Sequence, residues 1–330
     1  MNSIVIIGGG FAGLWSAIGA ARKLDELDIS QDRVEVILIN KDAWHGIRVR
    51  YYESDLSKVR VPLNSVLPPA GIRLIEGDVT NIDSTAETVA IQTLDGQRDV
   101  PYDRLVLAAG SRVYLPDIPG LAAHGLNIDT YAEAERLNLH IKGLPQQAPA
   151  EGRDTVLVIG AGLTGIELAC ELPDRLRAMG IERGRVILAD RLPHIGSDMG
   201  EHAGPVIDRA LADLGVETRV SFEATAIDAH GVTLADGERV AAHTIVWCAG
   251  MIASPLTACF PGERDHWGRL PVDEFMQVKG VNHVYAAGDI AAAMMDKEYA
   301  SVMSCQHGRP MGRFAGHNAV ADLLGEERLP

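Results

Sequence analysis

Cysteine is scarce in this chain: four residues in 330, at Cys170, Cys248, Cys259 and Cys305, with no Cys-x-x-Cys pair and no Cys/His cluster. That excludes a disulfide framework and leaves no metal site to propose. Cys170 and Cys248 fall in apolar stretches and read as core residues. Positive charge is also short. Thirty Lys and Arg face forty-five Asp and Glu, a formal charge of −15 with no basic cluster, which repels phosphate backbones and argues against a nucleic-acid partner. Long apolar runs are missing too. None approaches the roughly 20 residues that cross a bilayer, and the first is too short for a signal peptide. The expectation is a cytoplasmic protein without a transmembrane segment, globular because 47% of its residues are hydrophobic, and long enough for two cores.

Glycine is plentiful, and its spacing organises the chain. Ile4 to Gly13 reads IVIIGGGFAG: an uncharged apolar run suits a buried parallel strand, and Gly8, Gly10 and Gly13 then form G-x-G-x-x-G. Leu14, Ala17, Ile18 and Ala21 continue with helical spacing. In such a turn the first glycine lets the chain reverse, the second lets a pyrophosphate approach the backbone, and the third lets helix and strand pack closely. One such motif is weak evidence, but Val156 to Gly165, VLVIGAGLTG, repeats it with Gly160, Gly162 and Gly165. The repeat runs on: VEVILIN (34–40) is echoed by RVILAD (185–190), VAIQTLDG (89–96) by VTLADG (232–237), and LVLAAG (105–110) by IVWCAG (245–250). The chain therefore carries two nucleotide-binding units of one kind, and the predicted fold is α/β with two Rossmann-like domains, each with a small antiparallel meander.

The second strand of such a unit commonly ends in an acid that accepts from the ribose hydroxyls. In the first unit that position is Asn40, followed by Lys41 and Asp42; in the second it is Asp190, which favours NADH by repelling a 2′-phosphate, with Arg191 behind it leaving NADPH as the alternative. The stretch 44–56, WHGIRVRYYESDL, is read either as a loop over a ligand or as a solvated connector. VYAAGDI (284–290) is a further buried strand with a glycine and an acid at its carboxyl end, and a helix is predicted to begin at Cys305.

The amino-terminal G-x-G-x-x-G, the mid-chain LAAGS, then IGAGLTGIELACEL, WCAG and VYAAGD, in that order over nearly the whole chain, resemble the pyridine nucleotide-disulfide oxidoreductase superfamily of flavoproteins. TGIELACEL and the late QHG are most similar to type II NADH dehydrogenases, the non-pumping NADH:quinone oxidoreductases. The resemblance implies an FAD domain formed by residues 1–120 and 254–330, with an NAD(P)H domain, 121–253, inserted into it. It assigns Gly8, Gly10, Gly13 and Asn40 to FAD, Asp289 to the flavin ribityl chain, and Gly160, Gly162, Gly165 and Asp190 to the nicotinamide nucleotide. Further cofactor-binding positions are Ala12, Lys41, Val79, Ala109, Gly110, Gly250, Gly288, Gln306 and His307. Glu167, in an apolar IELA run, is the candidate catalytic acid: the family places a glutamate there, and burial would raise its pKa and suit it to proton handling.

Two departures bear on the acceptor. The family's A-Q-x-A-x-Q-Q-G beside the quinone pocket is here SVMSCQHG, with Val302 at the first glutamine, Gln306 retained and His307 at the last. The chain also stops at Pro330, where the family continues into a segment that docks to membrane or partner, so peripheral membrane attachment is expected of full-length relatives and not by that route here. Quinone is one acceptor reading. A ferredoxin- or rubredoxin-type reductase is another, with Arg48, Arg50, Lys58 and Arg60 as a local basic patch for an acidic partner. A non-catalytic NADH-sensing flavoprotein is the third. No cysteine precedes Cys170, which argues against a disulfide reductase, and sulfide oxidation through Cys305 lacks a partner thiol. The expected assembly is a monomer or homodimer.

Overall fold

The computed structural model describes residues 1–200, 202–296 and 298–330. In chain order the elements that position the sites are β1 (Asn2–Ile7), α1 (Phe11–Glu26), β2 (Val34–Asn40), β3 (Ile72–Glu76), β4 (Arg104–Leu107), β5 (Thr155–Ile159), α2 (Leu163–Ala178), β6 (Arg185–Ala189), β7 (Glu217–Arg219), β8 (Thr244–Trp247), β9 (Val284–Ala286) and α3 (Cys305–Leu324). The chain divides into two compact units, one of Met1–Ile47, Arg60–Arg112 and Met251–Pro330, the other of Arg48–Val59 and Val113–Gly250.

The first unit is built on a five-stranded parallel sheet in the order β9-β4-β1-β2-β3. Ile4, Val5 and Ile6 on β1 and Leu105, Val106 and Leu107 on β4 are fully buried, as expected of central parallel strands covered on both faces. Each such side chain contributes about 1.5–3 kcal/mol by leaving water. Antiparallel strands Asp78–Asp83, Thr88–Thr93 and Gly96–Pro101 form its meander. Helices α1 and α3 cross at very close range. A Cβ on Gly312 would come within 2.2 Å of the Ala12 carbonyl oxygen, and one on Gly316 within 1.9 Å of that of Ser16. Four-residue spacing puts both glycines on one face of α3, so this crossing fixes the start of α3 beside the start of α1. Asn318, fully buried, ties the end of the unit down by donating to the carbonyls of Phe275 and Leu329 and accepting from Leu329 N.

The second unit repeats the plan with four parallel strands, β7-β6-β5-β8, and a meander of Ala224–Asp228, Gly231–Leu234 and Arg239–Ala241. The likeness extends to irregularities: the first meander strand of each unit slips register near its start, between Val79 and Asn81 and between Ala224 and Ala226. The α/β class and the doubled Rossmann plan expected from the sequence are both observed.

The stretch 44–56 is not the solvated connector of one expectation: it divides between the two units. Trp44–Gly46 pairs antiparallel with Arg60–Pro62 in the first unit, while Arg48–Val59 packs into the second. There Tyr51, Leu56 and Val59 are buried against the core, Arg175 donates to the Tyr52 carbonyl at 3.3 Å, and Asn138 donates to that of Ser54 at 3.3 Å. Three apolar side chains decide the outcome, since solvent exposure would forfeit their burial. The proposed basic patch is also weakened: Arg48 pairs with Asp129, Arg50 with Glu53, and the Arg60 guanidinium lies 4.4 Å from the Trp44 ring centre.

Two candidate dinucleotide cradles

In the first unit β1 ends at Ile7 and the chain turns at Gly8, whose φ of +104° and whose missing Cβ, otherwise 2.4 Å from the Ala108 carbonyl oxygen, both require glycine. Gly13 lies against the same turn, where a Cβ would meet the Gly8 carbonyl oxygen at 1.7 Å. Gly10 differs from both: a Cβ there would meet nothing within 4 Å. It is the N-cap of α1, with no side-chain cap and no acid in the first turn. Open space, uncapped first-turn N–H groups and the positive end of a helix dipole together suit an anionic pyrophosphate.

Asn40 holds this loop from the end of β2. Its Oδ1 accepts from Gly9 N at 2.7 Å, while its Nδ2 donates to the carbonyls of Asp42 and Trp44 and to Asp42 Oδ1. The side chain is thus largely committed to shaping the backbone, with one oxygen lone pair left over for a ribose hydroxyl. A second holder was not singled out in the sequence: His45, buried to 6% exposure, lies with Nδ1 2.8 Å from the Gly9 carbonyl oxygen and its ring edge-on to Phe11. Lys41 is exposed, 3.7 Å from Asp78, and Val79 is half-buried at the meander bulge.

The remaining first-unit candidates gather in two groups. Gly288, at φ +78°, presses on Ala12, where a Cβ would come within 2.7 Å of the alanine methyl, and Gly308 at the start of α3 adjoins both. Asp289 Oδ2 accepts from Ser111 Oγ at 2.6 Å, joining the ends of β9 and β4, where Ala109 and Gly110 lie. Gly110, at φ +66°, has open space at its Cβ position and accepts from Ser254 N. At the start of α3, Ser304 caps the helix by accepting from His307 N and lies 2.8 Å from His307 Nδ1, with Gln306 exposed beside it. Phe11 and Trp15 of α1 with Cys305, Gln306, Arg309 and Arg313 of α3 line a groove of about 460 Å³, and the Arg309 guanidinium lies 4.8 Å from the Trp15 ring centre.

The second cradle copies the first. Gly160 turns at φ +109° under Ala249, a Cβ on Gly165 would meet the Gly160 carbonyl oxygen at 1.8 Å, and Gly162 is open. The N-terminus of α2 has neither a side-chain cap nor an acid in its first turn. Asp190 Oδ2 accepts from Ala161 N at 2.6 Å and Oδ1 from Leu192 N at 2.8 Å, which leaves each oxygen acceptor capacity toward a ribose. Gly196 N donates to the Ala161 carbonyl at 3.2 Å, and Gly250, at φ +77°, accepts from Tyr114 N at 3.1 Å. Glu167 lies half-buried one turn into α2, and burial raises its carboxyl above the ordinary glutamate range. Nearby, burial raises the Tyr52 phenol, helped by the Glu167 charge, and pushes the Cys248 thiol up to about 12.

Among the described residues no helix is long and apolar enough to cross a membrane, and no cluster of three or more His, Cys, Asp or Glu could hold a metal. Two cradles on one duplicated plan are matched by the family described as pyridine nucleotide-disulphide oxidoreductase, over residues 2–312. The chain belongs to this family. It is 52% identical over 334 residues to an NADH dehydrogenase-like protein of Mycobacterium tuberculosis, covering all of this chain and 82% of that one. It is 28% identical over 350 residues to a type II NADH:quinone oxidoreductase of Staphylococcus aureus, covering 98% and 83%. In fold it resembles the solved NAD-dependent persulfide reductase from A. fulgidus, with a TM-score of 0.80 at 22% identity over 99% of this chain and 60% of that one. The protein is accordingly an NADH dehydrogenase-like flavoprotein oxidoreductase that uses NAD(P)H, as the resemblance in its sequence implied.

Proposed function

We propose that the protein is an FAD-dependent NADH dehydrogenase, with FAD in the cradle of the first unit, NADH in that of the second, and a quinone as electron acceptor. The observation that carries the reading is the duplicated cradle itself: Gly10 and Gly162 each leave open space at an uncapped helix start, the shape and polarity a pyrophosphate needs. On this reading the unit of Met1–Ile47, Arg60–Arg112 and Met251–Pro330 binds FAD and the unit of Arg48–Val59 and Val113–Gly250 binds NADH, close to the expected division at 1–120, 121–253 and 254–330 except for the stretch Arg48–Val59. The flavin, when bound, supplies the hydride-accepting and electron-relaying chemistry.

The protein's residues bind and orient. Gly8, Gly10, Ala12, Gly13, Asn40 and Gly288 shape the first cradle, and Asp289, with Ser111 bonded to it, offers an acceptor to a ribityl hydroxyl. Lys41, Val79, Ala109, Gly110, Gln306 and His307 complete the first set; Gly160, Gly162, Gly165, Asp190 and Gly250 form the second. Asp190 selects NADH because its carboxylate accepts from ribose hydroxyls and repels a 2′-phosphate. Glu167, whose carboxyl keeps its proton to higher pH than an exposed glutamate, holds or moves a proton during turnover. The names of the relatives favour quinone over ferredoxin as acceptor. The groove of Phe11, Trp15, Arg309 and Arg313 offers aromatic faces and cationic donors to a flat molecule with carbonyl oxygens.

The test is anaerobic mixing of the FAD-loaded protein with NADH and, separately, NADPH, following the flavin absorbance band. Fast bleaching by NADH and slower bleaching by NADPH are expected, followed by reoxidation on adding a soluble quinone. Bound flavin that neither nucleotide bleaches would overturn the reading.

A further inference from the structure

We propose that His45 is a positioning residue for the first cradle, aiming the Gly10 N–H at the cofactor's pyrophosphate. The inference rests on the reading of that cradle as the FAD site.

The polar groups of Gly9 belong to two successive peptide planes. Its N–H lies in the plane shared with Gly8 and is held by Asn40 Oδ1 at 2.7 Å. Its C=O lies in the plane shared with Gly10 and is held by His45 Nδ1 at 2.8 Å. A carbonyl oxygen only accepts, so Nδ1 carries the proton in this bond. In a trans peptide the C=O and the following N–H point in opposite directions, so anchoring the Gly9 oxygen fixes the direction of the Gly10 N–H at the open position. The same bond polarises that peptide and strengthens its N–H as a donor. Without the anchor the Gly9–Gly10 peptide, flanked by two glycines, is free to rotate its oxygen toward the anion.

The histidine is placed for this role. It is nine-tenths buried, paired across the short hairpin with Val61, and fixed edge-on to Phe11 with ring centres 4.8 Å apart. The second cradle contains the same device built of backbone. Asp190 accepts from Ala161 N, and Gly196 N donates to the Ala161 carbonyl at 3.2 Å, which orients the Gly162 N–H. Two independent solutions to one geometric need indicate that the anchored carbonyl belongs to the cradle and is more than incidental packing.

The test compares wild type with His45→Phe, His45→Asn and His45→Gln, measuring FAD binding to the apoprotein and the ³¹P resonances of bound FAD. Phe keeps the ring and loses the donor. Asn carries an amide nitrogen at the branch position of Nδ1, whereas the Gln amide sits one carbon further out. Loss of one buried hydrogen bond of this kind is expected to weaken FAD binding about tenfold in His45→Phe, with a displaced pyrophosphate resonance, while His45→Asn retains wild-type affinity within about threefold. If His45→Phe does not fold, the contrast of Asn with Gln carries the test. Equal FAD affinity and unchanged ³¹P shifts in His45→Phe would overturn the proposal alone, as would equal losses in Asn and Gln. Wild-type protein that fails to bind FAD would overturn the cofactor reading and this proposal with it.

Discussion

Between the first two glycines of each motif stands one residue, Gly9 in the first unit and Ala161 in the second, and what stands behind each explains the choice. A Cβ on Gly9 would lie 2.8 Å from Asn40 Cγ and 2.9 Å from Leu63 Cδ1, so the first loop is pressed against side chains and must be glycine. The second loop admits the alanine methyl. A similar exchange occurs two residues past the third glycine, where the first helix carries Trp15 and the second carries Glu167: an aromatic floor to a groove in one unit, a half-buried acid in the other. The two units keep one backbone geometry at the open, uncapped helix start proposed to meet a phosphate, while the side chains around it differ, so on that reading shared chemistry resides in main-chain geometry and specialised chemistry in the side chains around it.

The third glycines break the comparison most severely. Gly13→Ala and Gly165→Ala each place a methyl within 2 Å of a carbonyl oxygen, at 1.7 and 1.8 Å, and cost on the order of 3 kcal/mol or more because backbone must move. Gly13→Ala is expected to yield colourless protein; Gly165→Ala should keep its flavin and lose reduction by NADH, read by absorbance before and after mixing. The second glycines separate binding from folding. Gly10→Ala and Gly162→Ala point into open space, so the apoprotein should melt at wild-type temperature while FAD or NADH affinity falls about 10- to 100-fold, because the methyl displaces the phosphate. A lowered apoprotein melting temperature in Gly10→Ala would show that the space is structural.

Exchanging the second-strand residues sharpens the comparison further. Asn40→Asp removes the donor to the Asp42 and Trp44 carbonyls and sets a second carboxylate against Asp42 Oδ1, which lies 3.2 Å from the present amide nitrogen. A cost of about 2 kcal/mol to the first unit is expected, read as a lower midpoint in denaturant. Asp190→Asn leaves one backbone N–H facing an amide NH₂ and removes the charge that repels a 2′-phosphate. It should raise KM for NADH about tenfold and narrow the preference over NADPH. An unchanged ratio of kcat/KM for the two nucleotides would remove Asp190 from the specificity argument.

The repeat was legible in the sequence because its determinants are local: uncharged strands at Ile4–Ile7 and Val156–Ile159, and glycines whose turns depend on their neighbours. Determinants that span the chain were not legible. Arg48–Val59 joins the second unit because Tyr51, Leu56 and Val59 find a core assembled from residues more than 60 positions later, with Arg175 and Asn138 completing the join. Asn40 was readable as the strand-end residue, but its commitment to the 42–44 turn appears only once the chain bends back. His45 carried one signal, a histidine five residues beyond the strand-end polar residue, and nothing in the local pattern distinguishes it from a surface histidine.

The smallest expected effect concerns Glu167 and its counterpart Trp15. Burial alone holds the Glu167 carboxyl above 4.5, so the folded protein binds this proton more tightly than the unfolded chain does. Stability from this group is therefore full below 4.5 and declines as pH rises through the raised native value. Glu167→Gln should abolish that decline, raising the melting temperature at pH 7 relative to that at pH 4.5 by only about 1–3 °C compared with wild type, with flavin content unchanged. If the acid also handles a proton in turnover, the same variant lowers kcat and flattens the acid limb of its pH profile, whereas Trp15→Phe leaves that limb where it was. A Glu167→Gln enzyme with wild-type kcat and pH profile, yet with the altered melting behaviour, would reduce the acid to a tolerated burial and leave the difference between the two helices without a catalytic consequence.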